Sequence, residues 1–378
     1  MSDCQDLINI IRIVNTPGIG SVTFFKLLGL YNSIDKILQL IPGFLKGGVV
    51  IPSVDFAKQE IETAAKNNIK IILWNDKRYP QHLKSVYSKP VILYAKGNDN
   101  LLNCKSVGIV GTRNPTIIGK NFIFDLSNEI TKNGFNIVSG MAIGIDTAAH
   151  KGAINDYNAN TIAVLAGGVN DIYPPSNRLL YNEILNKNGL IVSEKPINYI
   201  AKANDFPKRN RIIAGLSIAL IVSEATNRSG SLITAQYAMK QKKLIYAIPS
   251  HPSDARSYGP NNLIAKGAKI FLSKGQLIAD LKSVSTSVCT NYIYNKEDSV
   301  VQDNYSNVNA IEDDCKSKVE DYILNMLSVN AIDTEELFQD LSDRYHISIS
   351  EFSKLILNME LQGEIVNLNG QISKSNTI

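Results

Sequence analysis

The sequence predicts an α/β protein. Its centre is an extended, Rossmann-like, mostly parallel sheet, with a small helical domain before it and a winged-helix-like domain after it. Three observations carry this. Between Ile69 and Leu272, short apolar runs alternate with segments of helical period, the pattern of right-handed strand–helix–strand crossovers. Some of those runs, SVGIV at 106–110 and SIALIVS at 217–223, are apolar almost throughout, as strands buried on both faces are. Finally, most of the turns that leave the strands are rich in glycine.

Taken in order, residues 1–65 read as helices. Leu7, Ile8, Ile10, Ile11 and Val14 form one apolar face, and Phe24, Phe25, Leu27 and Leu28 another, joined by Pro17-Gly18-Ile19-Gly20. That joint reads equally as a helix-hairpin-helix turn or as a plain helical turn closed by glycine. Ile41-Pro42-Gly43 through Gly47-Gly48 is turn-rich, and a helix follows from about Val54 to Asn67.

The central domain is expected over 66–280. IKIILW and PVILYAKG open it as short strands. Strands at 106–110, 135–138, 161–165, 190–193 and 218–222 follow, with helices at 119–132, 147–154 and 176–186 between them and two more strands at 243–248 and 268–272. Before the strand at 218–222, FPKRNRIIAGL reads as a helix with Pro207 at its first position. Gly215 weakens that helix and marks a close approach by a neighbouring backbone. Polar 281–315 reads as a flexible linker. In 316–378, three helices and a hairpin with an Asn369-Gly370 turn resemble a winged helix. Its third helix carries Lys354 between Glu351 and Glu360, so a protein contact suits it at least as well as DNA.

In a parallel sheet, turns that follow strands gather at the carboxyl edge, where ligands bind. The turns GTRNP (111–115), SGMAIGID (139–146), AGG (166–168) and NRSGS (227–231) are therefore expected to converge, with Gly111, Thr112, Arg113, Ser139, Gly140, Gly167, Gly168, Ser229, Gly230 and Ser231 as the contacts and Phe206, Lys208, Arg209, Asn210 and Arg211 beside them. Three cations in one helix start oppose the helix dipole unless an anion sits there. A phosphate-bearing ligand is the reading. The GxGxxG fingerprint is missing after the first parallel strand, which weighs against a dinucleotide, and no P-loop is present.

Composition narrows the rest. Hydrophobic content of 44%, charged content of 20% and a net charge of +4 suit a globular protein and do not by themselves demand an acidic partner. The four cysteines are scattered, without metal spacing, as in a reducing compartment. With no apolar leader and no bilayer-length run, a cytoplasmic, membrane-free protein is expected. Asp146 and His150, four apart on one helix, read as a helix-start acid and a packing histidine rather than a catalytic pair. Glu194 and Glu224 read either as an acid/base pair or as anchors for Arg209, Arg211 or Arg228. No cofactor, metal site or catalytic residue is expected.

The blocks GIVGTRNPTIIG, IVSGMAIGIDTAAHKGAI, TIAVLAGGVNDIYPPSNRLL, FPKRNRIIAGLS and EATNRSGSLITAQYA, collinear across Ile69 to Phe271, resemble the bacterial DNA-processing protein DprA/Smf family. The resemblance implies a Rossmann-like domain that binds single-stranded DNA, dimerises through that domain, and loads the RecA recombinase onto incoming strands in natural transformation. Its members are not known as enzymes. By resemblance, Arg113, Ser139, Gly140, Phe206, Lys208, Arg209 and Asn210 line the DNA pocket. Arg113 and Arg209 alike are then expected to be removable without unfolding the chain. Ile143 departs from the family, which commonly has a basic residue there. The rival is a nucleotide-binding enzyme of phosphoribohydrolase type, whose PGGxGTxxE motif carries a glutamate where this chain has Gln236, or a nucleotide sensor.

Overall fold

The computed structural model describes residues 2–44, 49–155, 160–283, 313–327, 332–345, 347–368 and 371–375. It divides into two compact units, Met1–Ala57 with Ser299–Ile378, and Lys58–Asp298. Most of the stretch expected as a linker (284–312) and the Asn369-Gly370 turn lie outside the described residues.

The second unit is a nine-stranded sheet. Its strands are β1 (Ile69–Leu73), β2 (Ile92–Gly97), β3 (Ser106–Val110), β4 (Asn136–Ser139), β5 (Thr161–Val164), β6 (Leu190–Ser193), β7 (Ala219–Val222), β8 (Leu244–Ala247) and β9 (Lys269–Ile270), in the order β1-β2-β6-β5-β4-β3-β7-β8-β9. The pairs β1–β2 and β2–β6 are antiparallel, and all others are parallel. From β3 the chain winds outward through β4, β5 and β6, then returns to lay β7 against the other side of β3. The strand order reverses between β3 and β7, and a crevice opens there beyond their carboxyl ends.

Alternation along the strands explains why both faces are dry. Val107 and Ile109 of β3, with Ala219 and Ile221 of β7, pack on α6 (Ile117–Lys132), α7 (Ile145–Ala153) and the helix at 274–283. Val110, Leu220 and Val222 point the other way, to α9 (Asp205–Leu216) and α10 (Gly230–Lys240). Each strand is thus buried on both sides, which is why its run reads as continuously apolar. Gly152 lets α7 close on α6, since a Cβ there would strike the Phe124 carbonyl.

Two local readings are corrected. The helix containing Pro207 starts at Asp205, so the proline occupies its third position and an acid its first. Gly215 faces the Leu83 side chain, not a backbone, and a Cβ would displace that leucine from the core.

In the first unit, α1 (Ser2–Val14) and α2 (Ser21–Tyr31) are joined through Gly18 in the left-handed region, at φ 88°. The next helix, α3 (Ile34–Phe44), runs through Pro42, beyond the turn expected there, because fully buried Ile37 and Ile41 hold its last turns in the core. At the other end of the chain, helices at Asp313–Met326, Thr334–Tyr345 and Ile349–Leu361 precede strands Ile365–Leu368 and Gln371–Lys374. A short strand, Ile332–Asp333, joins those two in a three-stranded sheet, the arrangement of a winged helix. On the third of these helices Glu360 pairs with Lys26 of α2, at 2.5 Å. Among the described residues, no helix is long and apolar enough to cross a membrane.

Candidate functional site

Beyond the ends of β3 and β7 lies a cleft of about 720 Å³. Gly111, Thr112, Arg113, Phe206, Arg209, Asn210, Ser229, Gly230 and Ser231 all line it, so turns far apart in sequence meet there. Ser139, Gly167, Gly168, Lys208 and Arg211 do not line it. Gly140 lines a smaller adjoining pocket. Asp146 and Arg228, within turns expected to converge here but not singled out as contacts, also face the cleft, as do Tyr173, Thr226 and Thr234, which lie outside those turns.

The Arg113 turn is tied to β7. The Thr112 N–H donates to the Glu224 carbonyl at 2.6 Å, and the Thr116 N–H donates to the Glu224 carboxylate at 2.7 Å. The Thr116 hydroxyl donates to the same carboxylate and accepts the Gly119 N–H at 2.9 Å, capping α6. Glu224 therefore occupies the positive end of α6, where an anion would otherwise sit. What remains open on this turn is Arg113, exposed, with its guanidinium 5.7 Å from the centre of the Phe206 ring.

A second carboxylate occupies the next turn. Asp146 folds back to accept the N–H groups of Gly140 at 3.1 Å and Ala142 at 3.3 Å. The Gly140 amide is thus already engaged. Arg209 lies beneath it, buried, donating to the carbonyls of Gly140 at 2.8 Å and of Val164, and to Asn210 Oδ1 at 3.2 Å. A side chain on Gly140 would meet both Arg209 and Asp146, so glycine is required there. Burial pushes the Asp146 carboxyl up, against the pull of Arg209 and the two amides. Burial also draws Arg209 down to about 10, which still leaves it a cation at neutral pH. Arg209 is thus the cleft's buried floor. His150, on the same helix, is held down to about 3 by burial and by Arg209. Its Nδ1 lies 2.8 Å from the Thr161 hydroxyl, which donates onward to the Ile137 carbonyl.

The remaining predicted residues support the walls. Arg211 points away and forms a two-pronged ion pair with Glu194, at 2.9 and 2.5 Å. Ser139 donates to the Ile109 carbonyl at 2.7 Å. Gly168 donates to the Tyr199 carbonyl at 2.8 Å, and a Cβ on it would collide with the Pro196 and Ile197 carbonyls. Gly167 accepts the Ser193 hydroxyl at 2.5 Å. These two glycines hold the loop that carries Ala201 and Ala203 to the cleft edge. Lys208 is exposed outside the lining.

The start of α10 differs from the other two. Like α6 it has no acid in its first turn, but no carboxylate from elsewhere among the described residues caps it as Glu224 caps α6. Ser229 stands at its cap position but makes no bond to the helix backbone; its hydroxyl meets that of Ser231 at 2.7 Å. Asn210 ties it to α9 through the Gly230 carbonyl at 3.2 Å. Arg228 stands exposed beside it. Among the described residues, no carboxylate pairs with Arg113 or Arg228, nor does any group of residues have metal-ligand spacing. An open helix start beside exposed Arg228, with exposed Arg113 and aromatic rings on the same cleft, suits a ligand that carries phosphate and planar groups together.

Residues 70–282 match the family described as DNA recombination-mediator protein A. The protein Smf of Synechocystis is 41% identical over 230 residues, which are 60% of this chain and 57% of that protein, so the chain spans little more than half of that relative. The DNA processing protein DprA of Bacillus subtilis is 41% identical over 217 residues, 57% of this chain and 72% of its own length. Among solved structures, DprA of Streptococcus pneumoniae is similar with a TM-score of 0.60 and 33% identity, over 72% of this chain and 97% of that one. A structure of DprA from Helicobacter pylori, described as giving its single-stranded DNA binding mode, has a TM-score of 0.52 and 30% identity, over 57% of this chain and 96% of that one.

Proposed function

The chain belongs to the DNA recombination-mediator protein A family, and on that footing we propose that it binds single-stranded DNA in the cleft between the ends of β3 and β7. One observation carries the reading. The helix starts of α6 and α7 already hold Glu224 and Asp146, whereas that of α10 is open beside unpaired Arg228, with Arg113 also on the cleft wall. A backbone phosphate is taken at the α10 start beside Arg228, with Arg113 meeting the strand elsewhere in the cleft. Neighbouring bases lie against Phe206, where each stacked base contributes about 1–3 kcal/mol. Ser229 and Ser231 supply hydroxyls to the same phosphate. Arg209, Asp146, Gly140 and Ser139 keep the floor rigid, and Arg211 does the same for the α9 wall through Glu194.

Family membership supports a wider role. The protein protects incoming DNA in the cytoplasm and hands it to the RecA recombinase during natural transformation, acting as a homodimer and without catalysis of its own. In the cleft lining, Asp146 is the acid and it is already hydrogen-bonded, which speaks against a nucleotide-cleaving centre.

Fluorescence anisotropy with labelled single-stranded and duplex oligonucleotides, competed with mononucleotide, tests the reading. Tighter, sequence-tolerant binding of the single strand supports it. Preference for mononucleotide would replace it with a nucleotide enzyme or sensor.

A further inference from the structure

Past the Phe206 ring, the cleft continues into a side pocket of about 50 Å³. The two spaces share Arg113, Ala142, Tyr173, Phe206 and Arg209. The ring centres of Tyr173 and Phe206 are 5.3 Å apart, packed edge to face, so they form one wall. Ile143 and Pro174 add apolar surface. Ile143, in the loop after β4, is 45% exposed and Tyr173, in the loop after β5, 49%, both high for large side chains.

The lining of this pocket favours an apolar face over a phosphate. The Arg209 Nε and Nη1 groups already donate to Asn210, Gly140 and Val164, which leaves Nη2. The Gly140 and Ala142 amides already donate to Asp146. A phosphate pushed against Ile143 would lose its water to apolar surface and regain only part of it, from Arg113 and the Arg209 Nη2 group. A nucleobase has the opposite profile, an apolar face with a polar rim. A volume of this size admits the edge of one base, not a whole nucleotide.

We propose that this side pocket is a nucleobase subsite: one base of the bound strand turns out of the cleft and lies between Ile143 and Tyr173. This rests on the cleft's being the single-strand site. Ile143 thereby contributes apolar contact to a base, in a chain whose family commonly places a cation at that position. Its contribution to affinity is independent of salt, unlike that of Arg113 and Arg228.

The test compares an oligothymidylate with an oligomer of equal length whose sugars lack bases, using the full chain. Wild type is expected to favour the oligothymidylate by on the order of tenfold or more. Ile143→Asn and Tyr173→Ser should each bring that preference down severalfold and leave the salt slope unchanged, with Trp74 fluorescence verifying the fold. Ile143→Lys should do the reverse, adding a salt-dependent contact while the preference for bases falls. If wild type binds both oligomers but neither Ile143 nor Tyr173 variants alter the preference, the subsite is wrong while the cleft reading stands. If no oligonucleotide binds, both are overturned.

Discussion

Arg209 donates to the Gly140 carbonyl at 2.8 Å, from directly beneath the turn that follows β4. That contact separates two arginines which the sequence treats alike. Arg113 is open at the cleft, whereas Arg209 is enclosed with Asp146. Arg209→Ala leaves a buried carboxylate without its counter-charge and is expected to destabilise the fold by about 3–5 kcal/mol. Urea unfolding followed by Trp74, the chain's one tryptophan, which packs against the core, measures it. An unchanged midpoint would mean that Arg209 does not hold the floor.

Arg113→Ala and Arg228→Ala should leave stability within about 0.5 kcal/mol of wild type, as exposed substitutions away from packed features do. Each should lower the salt slope of single-strand binding by about 0.7, the value for one phosphate contact on a single strand. Titration at several salt concentrations reads this directly. Lys208→Ala, outside the cleft lining, should change the slope less than either.

Glu224→Ala gives an informative sign. Removing an anion near a phosphate site would strengthen binding if charge alone mattered. Because Glu224 fixes the Thr112–Thr116 turn, the expected result is weaker binding, with a stability loss of about 1–3 kcal/mol from the donors left unpaired. Affinity and the urea midpoint, measured on the same variant, separate the two effects.

His150 predicts an acid sensitivity. Its folded pKa, about 3, lies below the ordinary histidine value of 6.5. The unfolded chain therefore binds a proton that the folded chain does not between those values. Stability falls as pH drops below about 6.5, by up to about 1.4 kcal/mol per pH unit from this group. His150→Gln should remove that part of the slope, seen as the difference between wild-type and variant unfolding free energies from pH 7 to about 4.

Strand runs and glycine turns made the sheet and its ligand edge legible, because burial on both faces leaves an unbroken apolar word and sharp exits need glycine. Arg228 lies in a turn expected at the cleft, but the sequence does not separate an open cation there from one held by Glu194 or Glu224. Which arginines stay open was not legible. The division of roles among Arg113, Arg209 and Arg211 depends on Asp146 and Glu194, residues distant in sequence or turned back across a loop. Tyr173 had no local signature at all. It reaches the cleft because the loop after β5 is folded over Gly168 and the Pro196–Ile197 carbonyls.

The most direct measurement is photocrosslinking of the full chain to single-stranded DNA that carries 4-thiothymidine, with the adducts mapped by mass spectrometry. The account predicts adducts on Phe206 and on peptides covering residues 111–119 and 226–231, lost when unlabelled single strand competes. Adducts confined to the helices and strands after residue 313, with none around the β3–β7 cleft, would contradict it.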